Sequence, residues 1–127
     1  CSSRIGGYQY CYGAHTTHGR ALPFAQGIKC ANKDQHMIVC SGDGDSYAIG
    51  LGHAMHAIKR NMDITYLVFD NQVYGLTKGQ TSPASDKGFV TKTTPDGNPL
   101  TPLDAPAMAL AAGATFVAQA MLSTARP

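Results

Sequence analysis

Two short stretches hold the residues best suited to chemistry: Ser41-Gly42-Asp43-Gly44-Asp45 and Asp70-Asn71-Gln72-Val73-Tyr74-Gly75. Asp43 offers a carboxylate oxygen, Asn71 an amide oxygen and Val73 a backbone carbonyl, all hard donors. Magnesium takes a near-octahedral set of such oxygens, usually a few from protein and the rest from phosphate and water. Gly44, Asp45 and Ser46 lead into a helix-length segment whose amino end is suited to receive a diphosphate. Together these features predict a magnesium diphosphate crevice. The competing account is a tight β-to-α turn in which Asp43 or Asp45 merely caps a helix. A second tip favours the crevice, because Asp43 and Asn71 then converge from separate elements.

Both tips need strands behind them. The apolar runs His36-Met-Ile-Val-Cys40 and Ile64-Thr-Tyr-Leu-Val-Phe69 read as buried strands at about 36–41 and 64–69. Between them, Ser46 to Asn61 carries Tyr47, Ile49, Leu51, Met55 and Ile58 at helical spacing, with Lys59 and Arg60 well placed at its carboxyl end. Gly50 and Gly52 weaken this helix but permit close approach to the sheet. A strand, a crossover helix and a second strand make a right-handed βαβ unit with both tips on one sheet edge. The predicted fold is α/β, a parallel sheet with flanking helices.

Upstream, residues 1–18 read as a loop, and Gly19 to Ala31 as a helix with Pro23 in its first turn. Asn32-Lys33-Asp34 is a predicted turn. Downstream, Gly75 to Leu103 has almost no apolar period and is too long for a passive connection, so it is expected to bind a ligand or partner. Asp104 is a predicted cap for a helix through Ala112, ended by Gly113, with a third strand over 114–119.

The 127 residues read as one domain, 1–127, with formal charge +2 and 14% charged residues, so nothing in the charge argues for nucleic acid. No apolar run reaches membrane-spanning length, and the α/β pattern suits a soluble cytoplasmic protein with reduced thiols. Cys1, Cys11, Cys30 and Cys40 lack the CxxC spacing of a local zinc knuckle. His15/His18 and His53/His56 have a spacing that metals use, but His18 reads better as a hydrogen-bond donor or proton relay, and the second pair as packing or surface. All eight acidic residues are aspartates. The chain opens at Cys1 and closes at Arg126-Pro127 without a closing element, which suggests a fragment.

A GDG followed by an asparagine at the next strand tip resembles the thiamine diphosphate signature of a diphosphate-binding domain. The longer blocks CSSR (1–4), HTTHGRALPFAQGIK (15–29), VCSGDGDSYAIG (39–50) and DNQVYGLTKGQTSP (70–83) resemble the β subunit of 2-oxoacid:ferredoxin oxidoreductases. The Leu-Thr-Lys-Gly-Gln form is most similar to the 2-oxoglutarate-type or broad 2-oxoacid branch. The resemblance implies a thiamine-diphosphate-binding fold in which Asp43, Asn71 and the Val73 carbonyl hold Mg2+. It implies that Gly42, Gly44, Asp45, Gly75 and Leu76 line the diphosphate and the middle of the cofactor. It places Ser2 and Ser3 near the thiazolium and His18 near the diphosphate and reacting centre. Arg4 and Lys78 become candidate holders of substrate carboxylates, Arg bidentately and Lys as a point charge. Cys1 matches one of the thiolates around a [4Fe–4S] cluster, whose other ligands are not in this chain, so the cluster is an expectation for a longer parent protein.

The implied reaction is oxidative decarboxylation of a 2-oxoacid, 2-oxoglutarate first, with electrons passing to ferredoxin and the acyl group to coenzyme A. Thiamine enzymes generally activate the aminopyrimidine with a glutamate, and this chain has none. It is expected from another polypeptide or domain, and the resemblance implies an α subunit, making a heterodimer. The alternatives are a thiamine-dependent decarboxylase or acetolactate-synthase-like enzyme, a non-catalytic nucleotide-binding module, and a structural subunit with a dead site.

Overall fold

The computed structural model describes residues 2–121. Expectations for Cys1 fall outside them, as do those for the side chains of Ser2 and Ser3. At the centre lies the βαβ unit. Strand β1 (Ile38–Gly42) pairs in parallel with β2 (Thr65–Phe69), in register from Ile38 opposite Thr65 to Gly42 opposite Phe69. The two strands finish level, so Asp43 and Asp70 leave the sheet side by side. Helix α2 (Leu51–Arg60) makes the crossover that parallel pairing requires. Its last turn carries Lys59 and Arg60, as predicted.

Helix α1 (Ala21–Ala31) packs against α2 and β1. Leu22 and Ala25 of α1, Val39 of β1, and Ala54 and Ala57 of α2 form the buried core, with Met37, Ile64 and Tyr66 packed beside it. The alanines let the helix backbones approach closely, and burying Leu22 or Val39 is worth about 2 kcal/mol each. Lys29 clips this layer to the strands. Its Nζ donates to the Gln35 carbonyl at 2.9 Å and to Asp63 Oδ2 at 2.8 Å. The hydrogen bond and charge of Lys29 hold the Asp63 carboxyl below its usual range.

The predicted single helix over 46–61 is broken. Asp45–Ile49 forms a π turn, closed by the Gly50 N–H donating to the Asp45 carbonyl at 2.9 Å, and α2 starts only at Leu51. Gly50 is required there, since a Cβ would lie 2.3 Å from the Asp45 carbonyl oxygen and 3.2 Å from Gly19 Cα. Gly52 faces open space, so only Gly50 serves close approach.

The long segment after Gly75 is less irregular than predicted. It includes a short antiparallel hairpin, β3 (Val73–Tyr74) with β4 (Gln80–Thr81), and then folds back on the strand tips. Helix α3 (Ala105–Ala111) follows, with Asp104 Oδ1 accepting from the Ala107 N–H at 2.9 Å as its cap. The third strand predicted over 114–119 does not form. Ala114 N–H bonds back to the Ala109 carbonyl at 3.0 Å, Phe116 is 85% exposed, and no strand of the described residues pairs with the segment. β-propensity without a ladder partner leaves extended chain.

Candidate diphosphate and metal site

Asp43 is the first residue beyond β1 and is buried. Its two carboxylate oxygens have separate neighbours. Oδ2 accepts a hydrogen bond from Ser82 Oγ at 2.5 Å. Oδ1 faces the Asn71 side-chain amide at 3.2 Å, and the same amide atom lies 2.8 Å from the Val73 carbonyl oxygen. With its nitrogen there, Asn71 donates to both oxygens. With its oxygen there, three oxygens crowd one point, which only a cation makes favourable. Magnesium–oxygen bonds of about 2.1 Å set neighbouring ligand oxygens roughly 2.9 Å apart in an octahedron. An Asn71 amide turned with its oxygen inward at these separations would match that edge. The donor set fits magnesium.

The turn that aims the Val73 carbonyl is tightly specified. Gln72 adopts a left-handed φ of 59° and its N–H donates to Asp70 Oδ1 at 2.9 Å, an Asx turn. The Gln72 carbonyl accepts from Ser85 Oγ. Ser85 Oγ in turn accepts from the Ser82 N–H at 2.8 Å. Asn98 Nδ2 donates to the Ser85 and Asp86 carbonyls at 3.1 and 3.2 Å. The segment from Ser82 to Asn98 is thus a back wall behind Asp43 and the 71–73 turn. Gln72, Ser82, Ser85 and Asn98 are not predicted from the sequence. Their only advance signal is a loop too long to be idle.

Asp70 also bears on this point. Burial first, and then the neighbouring Asp43 carboxylate, push its carboxyl above the usual range, against the lowering hydrogen bond from Gln72. Acidic groups crowded in this way favour an incoming cation.

The Asp45 side chain is taken up by protein groups. Its Oδ1 accepts from the Gly19 N–H at 2.5 Å and meets His18 Nδ1 at 2.7 Å, while Oδ2 accepts from the Ser41 hydroxyl. A carboxylate also repels phosphate. Asp45 therefore builds the wall that holds the His18 loop to the tip of β1. Gly44 likewise serves a protein neighbour: a Cβ there would sit 2.1 Å from the Tyr74 ring, and the Tyr74 hydroxyl reaches the Gly44 carbonyl at 3.4 Å. The His18 and Tyr74 rings meet edge to face, with centroids 6.4 Å apart. Gly42, unlike Gly44, leaves open space where its Cβ would be, as close ligand approach requires.

Tyrosines floor the crevice. Tyr66 hydroxyl donates to Ser46 Oγ at 2.6 Å. Burial raises the hydroxyl pKa of Tyr66 and Tyr74, and burial with nearby Tyr66, Asp70 and Asp43 pushes Tyr47 up to about 12. Gly75, Leu76 and Lys78 lie exposed on the β3–β4 turn, with Lys78 at φ 102°. Arg4 is exposed in a 3-10 turn, Ser2–Gly7, whose backbone lies against β1. Among the described residues, neither cation forms an ion pair. The geometry therefore gathers Asp43, Asn71 and Val73 at one point, with His18 held beside it through Asp45, and brings neither Arg4 nor Lys78 into a described contact with them.

Residues 2–125 match the family model described as thiamine pyrophosphate enzyme, C-terminal TPP binding domain. The chain is 49% identical over 119 residues to 2-oxoglutarate synthase subunit KorB of Methanocaldococcus jannaschii, covering 94% of this chain and 44% of that protein. It is 50% identical over 107 residues to the 2-oxoacid:ferredoxin oxidoreductase subunit beta of Saccharolobus solfataricus, covering 84% of this chain and 35% of that one. Among solved structures, it is similar to 2-oxoglutarate:ferredoxin oxidoreductase from Magnetococcus marinus with 2-oxoglutarate, coenzyme A and succinyl-CoA bound. That match has a TM-score of 0.87 and 42% identity, and covers 91% of this chain and 40% of that one. The chain thus spans less than half the length of these relatives. Its parallel strand tips, its convergent oxygens and the match over residues 2–125 agree: the chain belongs to the C-terminal TPP-binding domain family of thiamine pyrophosphate enzymes.

Proposed function

We propose that the chain is the diphosphate-anchoring part of a 2-oxoacid:ferredoxin oxidoreductase β subunit, working on 2-oxoglutarate in the cytoplasm. The observation that carries this reading is the convergence of Asp43 Oδ1, the Asn71 amide and the Val73 carbonyl at two parallel strand tips. Relatives carrying 2-oxoglutarate in their names support the choice of substrate. Asp43, Asn71 and Val73 would hold Mg2+, and Gly42 would let the diphosphate approach the backbone. Thiamine diphosphate, when bound, supplies the electron sink for decarboxylating a 2-oxoacid.

The chain's own residues bind and orient. His18 commits Nδ1 to Asp45, leaving Nε2 to meet a phosphate oxygen or carry a proton. Arg4 and Lys78 are assigned to substrate carboxylates, and Ser2 and Ser3 to the neighbourhood of the thiazolium. Gly75 and Leu76 are assigned to the cofactor's middle. The activating glutamate is assigned to an α subunit, as the family resemblance implies. Cys1 is assigned to a [4Fe–4S] cluster of the whole protein, coenzyme A to the acyl group and ferredoxin to the electrons.

The test combines the chain with its partner subunit and follows dye reduction that depends on both 2-oxoglutarate and coenzyme A. Activity in the combined preparation and none from the chain alone is the expected result. Turnover by the chain alone, or aldehyde release without coenzyme A, contradicts the proposal.

A further inference from the structure

We infer that Ser82 sets the metal preference of this site by fixing how Asp43 presents its carboxylate. This rests on the reading of Asp43 and Asn71 as magnesium ligands, and deepens it. Asp43 is buried and has two oxygens, but only Oδ1 faces the Asn71 amide. Oδ2 is turned away and held by the Ser82 hydroxyl at 2.5 Å. Ser82 has no freedom to release it. Its Oγ accepts from the Ala84 N–H at 3.2 Å, which leaves its proton for Asp43. Its own N–H is fixed on Ser85 Oγ at 2.8 Å, and Ser82 is itself buried.

Asp43 is therefore restricted to a single coordinating oxygen. That restriction discriminates between cations. Magnesium is small, demands octahedral geometry and accepts one oxygen per carboxylate. Calcium prefers more ligands at longer distance and readily takes both oxygens of one carboxylate. With Oδ2 tied to Ser82, calcium loses a bidentate partner and magnesium loses nothing. Ser82 touches neither metal nor substrate, so it is a positioning residue.

The experiment measures thiamine diphosphate binding to the full chain by calorimetry, with Mg2+ or Ca2+ as the added cation. For the unaltered chain, Mg2+ is expected to support binding about tenfold tighter than Ca2+. Ser82→Ala frees Oδ2, and the Mg2+ to Ca2+ ratio is expected to fall roughly tenfold, the scale on which partners of metal ligands act. Ser82→Thr keeps the hydroxyl and should keep the ratio. Circular dichroism verifies folding, and Ser82→Cys, nearly the same size with a weak donor, is expected to shift the ratio the same way if the alanine variant unfolds. An unchanged ratio in folded Ser82→Ala or Ser82→Cys overturns the inference alone. Failure of the unaltered chain to bind with either cation overturns the magnesium reading, and this inference with it.

Discussion

Asp43 and Asp45 flank one glycine yet face different neighbours, and those neighbours decide what each can do. Asp43 turns one oxygen to Asn71 and the other to Ser82; Asp45 gives both of its oxygens to Ser41, Gly19 and His18. The sequence offered Asp43 as a metal ligand, and the family resemblance offered Asp45 as a diphosphate liner. Neither shows what the two carboxylates touch, because those contacts come from Ser82 and from His18 and Gly19, far away in sequence. Asp45→Asn removes the charge and turns an amide N–H2 toward donors, so it should cost about 1.5–3 kcal/mol, as charge-assisted hydrogen bonds do. Chemical denaturation measures the loss, and faster protease cleavage within residues 15–19 should accompany it. A variant as stable and as resistant as the parent would show that Asp45 does not anchor the loop.

At the scale of elements, the legible parts were those with strong local patterns. The strands appeared where apolar runs predicted them, and Asp104 capped α3 as its position implied. The π turn before α2 was not legible, because it depends on Gly50 meeting Gly19 and the Asp45 carbonyl, both tertiary contacts. Residues 114–119 have strand-like composition but no ladder partner, so propensity lost to context. One element-level contact is testable by pH. Lys29 joins α1 to the approach of β2 through Asp63, whose folded pKa is depressed below the ordinary 3.8. A depressed carboxylate contributes stability that is fully present above the unfolded pKa and lost as pH falls through the folded value. Asp63→Asn should therefore flatten the acid limb of stability below about pH 4 and leave its shape at neutral pH unchanged. Denaturant midpoints measured across that range check it, and an acid limb of unchanged slope would exclude the contact as its source.

Over the whole molecule, the features fit part of a larger site. Helices cover one face of the β1–β2 pair, while Ile38, Leu67 and Phe69 on the other are 65%, 43% and 45% exposed. Asp43, Asn71 and Val73 meet at the strand tips, and these 127 residues include no glutamate. The family was legible in blocks such as 39–50 and 70–83, and the meeting of Asp43 with Asn71 because βαβ geometry brings distant tips together. The back wall was not, since Ser82, Ser85 and Asn98 gain meaning only where they fold against Gln72 and Asp43. The central claim is that Asp43, Asn71 and Val73 form a magnesium site for a diphosphate. Calorimetric titration of thiamine diphosphate into the full chain, with and without Mg2+, tests it most directly when Asn71→Ala is measured alongside. Binding that needs Mg2+ and weakens about a hundredfold or more in the variant is the predicted result; equal binding without Mg2+, or by Asn71→Ala, would contradict the account.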